Sequence, residues 1–477
     1  MHPIVESIPW EVEPRSLVAL LAARPGTVFL ESARLMSQRG RYSFVASDPF
    51  MTFRSLGSRC EIRSASDVQV QFGDPWRLLD ILLSRFELLD EIDLPFPLGG
   101  CFGYWGYDLK NFVEPRLSRT ALCDLELPDC AVGLYDSLVV FDHELRQSWV
   151  VCTGLAEDGS RSEARACASL SRWRELVAGA HAPSSEERRP SNIVRPLVME
   201  SSLPEAAFID RVERAQRYIW SGDIYQVNLS QRRTLLEGVC AWELYEELSA
   251  LSPAPYAAYF NAGDFAIVSS SPELFLRMSG SHVVTRPIKG TRPRSPDAIR
   301  DAQLSYELQT SAKEMSELVM ITDLLRNDLG RVCDYGSIQV PELMQLERYS
   351  HVQHLVSTVE GHLRPELTHL AGFAQCFPGG SITGAPKIRA MEIIEELEPV
   401  SRGPYTGALG YLGFNRETQL SILIRAAFCT PSATHIHVGA GIVADSIPTK
   451  EFEETLAKAA GLEAALARVR QPVRVRR

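Results

Sequence analysis

The sequence has 477 residues, of which 45% are hydrophobic and 23% charged, and its formal net charge at pH 7 is −11. This length allows roughly three domains or two large ones, and the negative charge argues against a nucleic-acid partner bound by bulk electrostatics. No run approaches about eighteen consecutive apolar residues, and the acidic, proline-bearing N-terminus does not resemble a signal peptide, so we expect a cytoplasmic protein without a membrane span.

The first part of the chain predicts a β-rich region followed by a linker. Short apolar or alternating runs predict strands at 27–32, 41–48, 60–65 and 132–145, and a helix is predicted near 75–89. Residues 157–195 are mostly polar, with a short helix-like stretch at 167–179. We therefore place an N-terminal region at 1–155 and a variable connecting segment with a linker at 156–200.

The second part of the chain combines helical segments with clustered strands. The apolar spacing of an amphipathic helix is present at Phe208, Val212, Ala215 and Ile219. A long helix is predicted to begin at Ser311, and another helix is predicted near the C-terminus. Strands are predicted at 256–261, 265–271, 273–278, 283–288, 408–414 and 418–429. Because strands cluster instead of alternating with helices, we predict an α+β fold, with a second domain at 201–467 and a basic tail at 468–477.

Cys101 is a candidate nucleophile, because Gly99-Gly100-Cys101-Phe102-Gly103 fits a G-x-C-x-G elbow. A glutamine amidotransferase of that type also needs a downstream histidine and glutamate, and the sequence contains no H-x-E pair. We therefore expect a structural cysteine in a glycine-flanked strand or turn. The ten cysteines form no C-x-x-C, which argues against a zinc ribbon, and most are expected to be buried thiols.

A glycine-rich segment at 377–397 leads into a predicted helix. Pro386 is a favourable first helical residue, and Lys387 follows it. The apolar residues predicted to share one side of this helix are Ile388, Met391, Ile394 and Leu397. Free N–H groups together with Lys387 could bind an anion at the helix start, although the segment is not a Walker A loop. A plain glycine-rich turn is the favoured alternative.

Two predicted helices carry matching acidic faces. Glu314 and Glu317 are three residues apart on one, and Glu451 and Glu454 are three apart on the other, with Lys458 one turn further on. Residues so spaced share a helix face, and two such faces could converge on Mg²⁺, which takes few carboxylates plus waters and substrate oxygens. The alternatives are a capping box that pairs Ser311 with Glu314 and a surface ion pair between Glu454 and Lys458.

Lys289 lies at the end of an alternating strand and before a Gly-Thr turn. Such a lysine can be a surface charge, a clamp for phosphate or carboxylate, or a nucleophile, and the residues alone leave these alternatives open. The neighbouring Arg286, Arg292 and Arg294 are expected to repel the charged form of the amine, which would favour a nucleophile.

These motifs, taken in the order in which they occur along the chain, resemble those of the chorismate-utilising enzymes. This family includes anthranilate synthase component I, aminodeoxychorismate synthase component I, and the isochorismate and salicylate synthases. The blocks that carry the resemblance span 222–459 and include GDIYQVNLSQR, SSSPELFL, PIKGTRPR, KEMSELVMITDLLRNDLGRV, FPGGSITGAPKIRAMEIIEELEP and GAGIVADSIPTKEFEETLAKA. FLES, GRYSF and GGCFGYWGYDL extend it into the N-terminal region. The resemblance implies large antiparallel sheets flanked by helices, with the N-terminal region packed on a chorismate-binding catalytic domain at 201–467.

Two positions distinguish the reactions within this family. Isochorismate and salicylate synthases carry a water-activating lysine where this chain has Gln226, so addition of water to the ring is not implied. Anthranilate synthases usually read Pro-Ile-Ala-Gly-Thr where this chain has Pro287-Ile288-Lys289-Gly290-Thr291. The lysine form is the mark of aminodeoxychorismate synthases, and the resemblance therefore implies amination at C4, with Lys289 attacking C2 as the C4 hydroxyl leaves.

The resemblance also implies roles for the other site residues. Glu317 and Glu454 resemble the Mg²⁺ ligands, supported through waters by Glu314 and Glu451. Glu273 resembles the general acid that protonates the departing hydroxyl. The substrate-binding residues that the resemblance implies are Gln226, Thr291, His354, Tyr405, Arg425, Gly439, Gly441 and Lys458.

The expected partners follow from the same resemblance. Ammonia would come from solution or from a separate glutamine amidotransferase subunit, and the product would be 4-amino-4-deoxychorismate for 4-aminobenzoate and folate. The N-terminal region is a possible site for tryptophan. The alternatives are an anthranilate synthase component I and, from another class, a non-catalytic scaffold that binds chorismate.

Overall fold

The computed structural model describes residues 2–32, 40–89, 93–180, 197–349 and 352–469. In the first part the strands are β1 (Ile4–Ile8), β2 (Val28–Glu31), β3 (Tyr42–Ala46), β4 (Met51–Leu56), β5 (Arg59–Ser64), β6 (Val68–Phe72), β7 (Gly100–Trp105), β8 (Cys130–Tyr135), β9 (Ser137–Asp142) and β10 (Gln147–Cys152). The helices there are α1 (Pro14–Leu21), α2 (Pro75–Leu83), α3 (Lys110–Val113) and α4 (Glu163–Gly179).

The second part carries the remaining elements. Its strands are β11 (Glu200–Ser201), β12 (Gln226–Leu235), β13 (Tyr256–Asn261), β14 (Ala266–Ser271), β15 (Leu274–Ser279), β16 (His282–Arg286), β17 (Ile288–Pro293), β18 (Gln339–Arg348), β19 (Val352–His362), β20 (Gly384–Ala385), β21 (Ala408–Gly413), β22 (Glu417–Ile422), β23 (Ala426–Cys429) and β24 (Thr434–Ile442). Its helices are α5 (Glu205–Trp220), α6 (Ala241–Leu251), α7 (Ala298–Gln309), α8 (Ala312–Gly330), α9 (His369–Cys376), α10 (Lys387–Leu397) and α11 (Pro448–Val469). Short 3-10 helices cover Ser84–Phe86, Tyr107–Leu109 and Gly380–Ile382.

Two twelve-stranded antiparallel sheets form the fold, which confirms the α+β prediction. The first sheet has the strand order β1-β10-β9-β3-β2-β13-β14-β23-β24-β12-β11, with β20 also paired to β12. The second has the order β17-β19-β16-β15-β22-β21-β7-β8-β4-β5-β6, with β18 paired to β19. Strands of the N-terminal region therefore join both sheets, through the pairs β2–β13 and β7–β21.

The two sheets face each other across the largest hydrophobic core. Phe44 of β3 in the first sheet contacts Tyr411 of β21 in the second, with ring centroids 5.1 Å apart. The outer face of the first sheet packs on helices in a second core that contains Phe29, Trp173 and Leu462. Because successive strand residues point to opposite faces, Val28 and Leu30 of β2 fill the first core and Phe29 between them fills the second.

Some predicted helices and strands agree with the structure, and others differ from it. Helix α8 begins after Ser311, whose hydroxyl accepts a hydrogen bond from the Glu314 N–H, and α5 buries Phe208, Val212 and Ala215. The strand predicted at 418–429 is wrong in extent, because it ends at Ile422 in the second sheet and resumes at Ala426 in the first. The long pair β18–β19 was not predicted, since β18 alternates between half-buried and exposed residues.

The anion-binding hypothesis for Lys387 is wrong. The Lys387 ammonium lies 2.7 Å from a carboxylate oxygen of buried Asp328 and donates hydrogen bonds to the carbonyls of Cys376 and Pro378. Pro386 is the N-cap residue, not the first residue of α10. Ile388, predicted to lie on the apolar side of this helix, is 48% exposed. The segment is a glycine-rich turn whose lysine is held by an internal ion pair.

The cysteine expectations agree with the structure. Cys101 lies on β7 with no exposed surface, and burial raises the pKa of its thiol, which disfavours the nucleophilic thiolate. Cys60, Cys130, Cys152, Cys333, Cys376 and Cys429 are also buried.

Two predicted segments, the basic tail and the connecting segment, lie partly outside the described residues. Arg468 lies in α11, whereas 470–477 of the predicted basic tail and 181–196 of the predicted connecting segment lie outside the described residues. Within the described ranges, none of the helices has the length and apolar character needed to cross a membrane.

Candidate active site

A cavity of about 670 Å³ is lined by residues of both sheets together with residues of α8 and α11. All the predicted site residues except Gln226 and Glu451 line it. The lining residues are Glu273, Lys289, Thr291, Glu314, Glu317, His354, Tyr405, Arg425, Gly439, Gly441, Glu454 and Lys458. Residues more than 150 positions apart in the sequence thus meet in one place.

The two acidic helix faces converge on this cavity. Glu314 and Glu317 come from α8, and Glu454 comes from α11. Burial raises the pKa of Glu317, and the charges of Glu314 and Glu454 add to that rise while nearby lysines oppose it. The capping box at Ser311 and the ion pair between Glu454 and Lys458, at 2.7 Å, are both present as well. The capping box and the ion pair are therefore compatible with convergence of the two acidic helix faces on one cavity.

The residues present can be tested for their fit to a magnesium ion. Among the described residues, no group of three or more His, Cys, Asp or Glu side chains is placed to hold a metal by itself. Mg²⁺ is commonly bound by one or two carboxylates together with substrate oxygens and waters, and Glu317 and Glu454 can supply that pair. Glu451 lies behind them, only 4% exposed, with a hydrogen bond to Ser446.

Glu273 follows β14 and is 7% exposed at the cavity wall. Burial raises the pKa of its carboxyl, although a hydrogen bond from Ser381 and the positive charges of Lys289 and Arg425 oppose the rise. A carboxyl group with a raised pKa holds its proton to higher pH, which is the property required of a general acid.

Lys289 lies on β17, next to a bulge in its pairing with β19. The bulge is at Gly290, where φ is +67° and a Cβ would lie 2.6 Å from Leu308 Cδ1. The Lys289 charge opposes the burial that raises the pKa of Glu273 and Glu317. Lys458, with smaller contributions from Lys313 and Lys289, lowers the pKa of Glu454 against the effect of burial. The charged neighbours of this amine therefore include carboxylates.

The arginines expected to repel the Lys289 amine have carboxylate partners of their own. Arg286 forms an ion pair with Glu347. Arg292 lies 3.6 Å from a carboxylate oxygen of Glu314, and Arg294 lies 2.9 Å from one of Asp301. Each arginine therefore has a carboxylate partner whose charge offsets the repulsion expected on the Lys289 amine.

His354 of β19 lies beside Thr291 of β17, with Thr291 Oγ1 and His354 Nδ1 2.8 Å apart. His354 is 3% exposed. Burial, assisted by the charge of Arg425, lowers the pKa of His354 to about 4. The ring is therefore neutral near pH 7 and can offer a hydrogen bond to a substrate without a charge.

We expect the His354 ring to titrate near pH 4 because its charged form is disfavoured in the buried site. As pH falls from about 6.5, an unfolded chain takes up this proton first. This residue's stabilising contribution is therefore complete above pH 6.5 and is lost as pH falls towards 4. NMR titration of histidine-labelled protein, with a His354→Gln variant for assignment, measures the pKa. A ring that titrates above pH 6 would contradict this environment.

Arg425 lies where the chain crosses from one sheet to the other, between β22 and β23. Its φ is +51°, a left-handed conformation that non-glycine residues seldom adopt. Burial lowers the pKa of Arg425, while the charge of Glu273 opposes that effect. Among the described residues, no carboxylate lies within ion-pair distance of this guanidinium. A largely buried cation without such a partner at a cavity wall is suited to bind an anionic ligand.

Tyr405 and the two glycines of β24 form the opposite wall. The Tyr405 ring stacks on His437, with centroids 4.6 Å apart. A Cβ on Gly439 would lie 2.9 Å from the Tyr405 hydroxyl oxygen, so glycine allows this approach. Lys458 Nζ donates a hydrogen bond of 2.9 Å to the Gly439 carbonyl.

Gln226 lies behind Gly441 and outside the cavity lining. It is 1% exposed, and its Nε2 lies 2.7 Å from the position that a Cβ on Gly441 would occupy. Gln226 therefore supports the wall of the cavity from within the fold.

The lining residues that were missed from the sequence include the polar side chains of Asn228, Ser381, His437 and Lys313. A signal existed for two of them. His437 precedes Gly439 by two positions and so shares its side of β24, and Asn228 pairs with Gly441 across β12 and β24.

Comparisons with known proteins agree with this arrangement. The profile of the chorismate binding enzyme family matches residues 37–464. Aminodeoxychorismate synthase component 1 of Bacillus subtilis (strain 168) is 36% identical over 477 residues, with 100% of this chain and 99% of that protein covered. Anthranilate synthase component 1 of Synechocystis sp. is 38% identical over 467 residues, covering 93% and 91%. The crystal structure of anthranilate synthase component I from Streptococcus pneumoniae TIGR4 matches with a TM-score of 0.78 and 31% identity, covering 90% of this chain and 93% of that one.

Proposed function

Because this chain belongs to the chorismate binding enzyme family, we propose that it aminates chorismate at C4, as an aminodeoxychorismate synthase component I. Overall identity does not distinguish this activity from anthranilate synthesis, since relatives with either name are similarly close. The observation that carries the proposal is the presence of Lys289 in the same cavity as Glu273 and the converging carboxylates.

The proposed reaction uses Glu273 and Lys289 in sequence. Glu273 protonates the C4 hydroxyl, and the neutral Lys289 amine attacks C2. The two ring double bonds shift towards C4 and expel water. Ammonia then attacks C4, the double bonds shift back, and the C–N bond to the lysine breaks. The ammonium group formed at C4 returns a proton to Glu273, which restores the acid. The sum is chorismate and ammonia giving 4-amino-4-deoxychorismate and water.

The remaining cavity residues would hold the two carboxylates of the substrate. Mg²⁺ bound by Glu317 and Glu454 would neutralise the ring carboxylate and fix its orientation. Arg425 and Tyr405 would bind the enolpyruvyl carboxylate, with the backbone at Gly439–Gly441 and Lys458 beside them. Thr291 and His354 would contact the ring. Together these contacts would orient C2 towards Lys289 and C4 towards Glu273.

The deciding experiment is a turnover assay with chorismate, Mg²⁺ and ammonium, with the products separated by chromatography. Formation of 4-amino-4-deoxychorismate supports the proposal. Formation of anthranilate instead would favour the second candidate, which the 38% identity to an anthranilate synthase keeps open. Binding of chorismate without turnover would identify a scaffold.

We expect the purified chain to use ammonium but not glutamine, because the Cys101 thiol is buried and lacks the residues that would activate it. Addition of a glutaminase subunit should restore the use of glutamine. Release of glutamate from glutamine measures this activity, and Cys101→Ala is the matched variant. Glutamine hydrolysis by the chain alone that disappears in Cys101→Ala would contradict the expectation. We propose that the chain and its glutaminase subunit act together in the cytoplasm, in folate synthesis.

A further inference from the structure

A stack of aromatic and cationic groups connects the N-terminal region to the substrate cavity. It consists of Tyr107, Arg402, Tyr405 and His437, which we call the clamp stack. The Arg402 guanidinium lies 4.7 Å from the centre of the Tyr107 ring and 5.6 Å from that of Tyr405. Tyr405 stacks on His437 at 4.6 Å. Of the four residues, Tyr405 and His437 line the cavity, while Tyr107 and Arg402 lie behind them.

Arg402 is fully engaged within the protein. It is 1% exposed and donates to both carboxylate oxygens of Glu398, at 2.9 and 2.7 Å. It also donates to the carbonyls of Asn228, at 2.7 Å, and Ile382, at 3.1 Å. Because its hydrogen-bond donors are used in this way, Arg402 acts on the cavity through the wall residues that it holds and not through contact with substrate.

Tyr107 lies at the end of the clamp stack that is away from the cavity. The Lys110 ammonium lies 4.7 Å from its ring centre, as the Arg402 guanidinium does. The Tyr107 N–H donates to the Gly403 carbonyl at 2.7 Å. Its hydroxyl is buried and has no hydrogen-bond partner among the described residues. The ring, and not the hydroxyl, therefore makes the contact with Arg402.

We propose that Tyr107 is a positioning residue for substrate binding, which acts through Arg402 to hold Tyr405 beside Gly439. This inference rests on the proposed function, which assigns Tyr405 to a carboxylate of chorismate. Interiors are closely packed, so removal of the Tyr107 ring leaves space into which Arg402 and then Tyr405 can move. The N-terminal region thereby contributes to affinity for chorismate, although none of its described residues lines the cavity.

The test compares Tyr107→Leu with Tyr107→Phe in the chorismate consumption assay. We expect Tyr107→Leu to raise KM for chorismate about tenfold with kcat within about twofold, because a lost binding contact affects ground state and transition state alike. Tyr107→Phe keeps the ring and should keep the wild-type KM. Phe53→Leu, which changes another fully buried ring on β4, is the control for general destabilisation and should leave KM unchanged.

A double variant tests the route through Tyr405. In a Tyr405→Phe background the contact of the hydroxyl is already lost, so Tyr107→Leu should add little to KM. A wild-type KM in Tyr107→Leu, an equal rise in Phe53→Leu, or fully additive effects in the double variant would each overturn the proposal. If Tyr107→Leu does not fold, Tyr107→Met replaces it, and failure of both would show a structural role only and overturn the proposal too. Consumption of chorismate is scored whichever product forms, so a wild-type chain that consumes none contradicts the proposed function and not this inference.

Discussion

Replacement of Lys289 by alanine should reduce formation of 4-amino-4-deoxychorismate by at least about 100-fold, which corresponds to about 2.7 kcal/mol in activation free energy. The reason is that the lysine amine would form the covalent bond at C2 that directs ammonia to C4. The alanine variant carries the Pro-Ile-Ala-Gly-Thr sequence, so any residual reaction should add ammonia directly at C2 and favour 2-substituted products. Chromatography of the products under saturating ammonium measures both effects.

The covalent role has a second, independent readout. When ammonia is withheld, wild-type protein mixed with chorismate and Mg²⁺ should carry a substrate adduct, visible by intact mass and located at Lys289 by peptide mapping. Lys450→Ala removes an exposed lysine outside the cavity lining and should change neither product nor adduct. A Lys289→Ala variant that makes the 4-amino product at the wild-type rate would leave Lys289 as a carboxylate clamp or a surface charge.

Exchange of either Glu317 or Glu454 for glutamine should abolish turnover, with a loss of at least about 100-fold, while the fold is retained. Glutamine keeps the shape of the side chain but removes the charge that a hard cation requires. Burial raises the pKa of Glu317, so neutralisation of this half-buried side chain is not expected to cost stability. Glu454→Gln removes an ion pair with Lys458 whose two side chains are largely exposed, and such pairs contribute little to stability. Circular dichroism and a thermal melt check that the variants are folded.

A matched control separates metal binding from general changes in charge. Glu453→Gln, on the same helix but outside the cavity lining, should keep full activity. The stabilisation of wild-type protein by Mg²⁺ and chorismate together in thermal melts should be absent in Glu317→Gln and Glu454→Gln and present in Glu453→Gln. Full activity of metal-stripped, chelator-treated protein would exclude the magnesium assignment.

Part of the fold could be predicted from local sequence patterns. The helix that follows Ser311 was correctly placed, because a serine cap and an apolar period are local properties of consecutive residues. The segment at 418–429 was predicted as one strand because apolar residues recur along its whole length. Its break near Arg425 depends on which sheet each half joins, and no local pattern contains that information.

The candidate site, like the fold, could be predicted only in part from local sequence patterns. The E-x-x-E spacing gave the acidic faces of two helices, but that α8 and α11 bring these faces to one cavity is a property of the packing. The sequence placed three arginines near Lys289, whereas the structure pairs each with its own carboxylate. Neighbours in sequence thus gave an incomplete charged environment, because the carboxylate partner of each arginine comes from another element of the fold.

By itself, the sequence determined the α+β class, the segments that carry chemistry and the family resemblance, because these depend on residue identity, spacing and order. Only the tertiary structure decided that Lys387 is neutralised by Asp328, that Gln226 and Glu451 lie outside the cavity lining, and that Tyr107 reaches the substrate wall through Arg402. Burial, ion pairing and stacking depend on residues that the fold brings together from separate segments, and their energies arise only once the two sheets have closed around a common core.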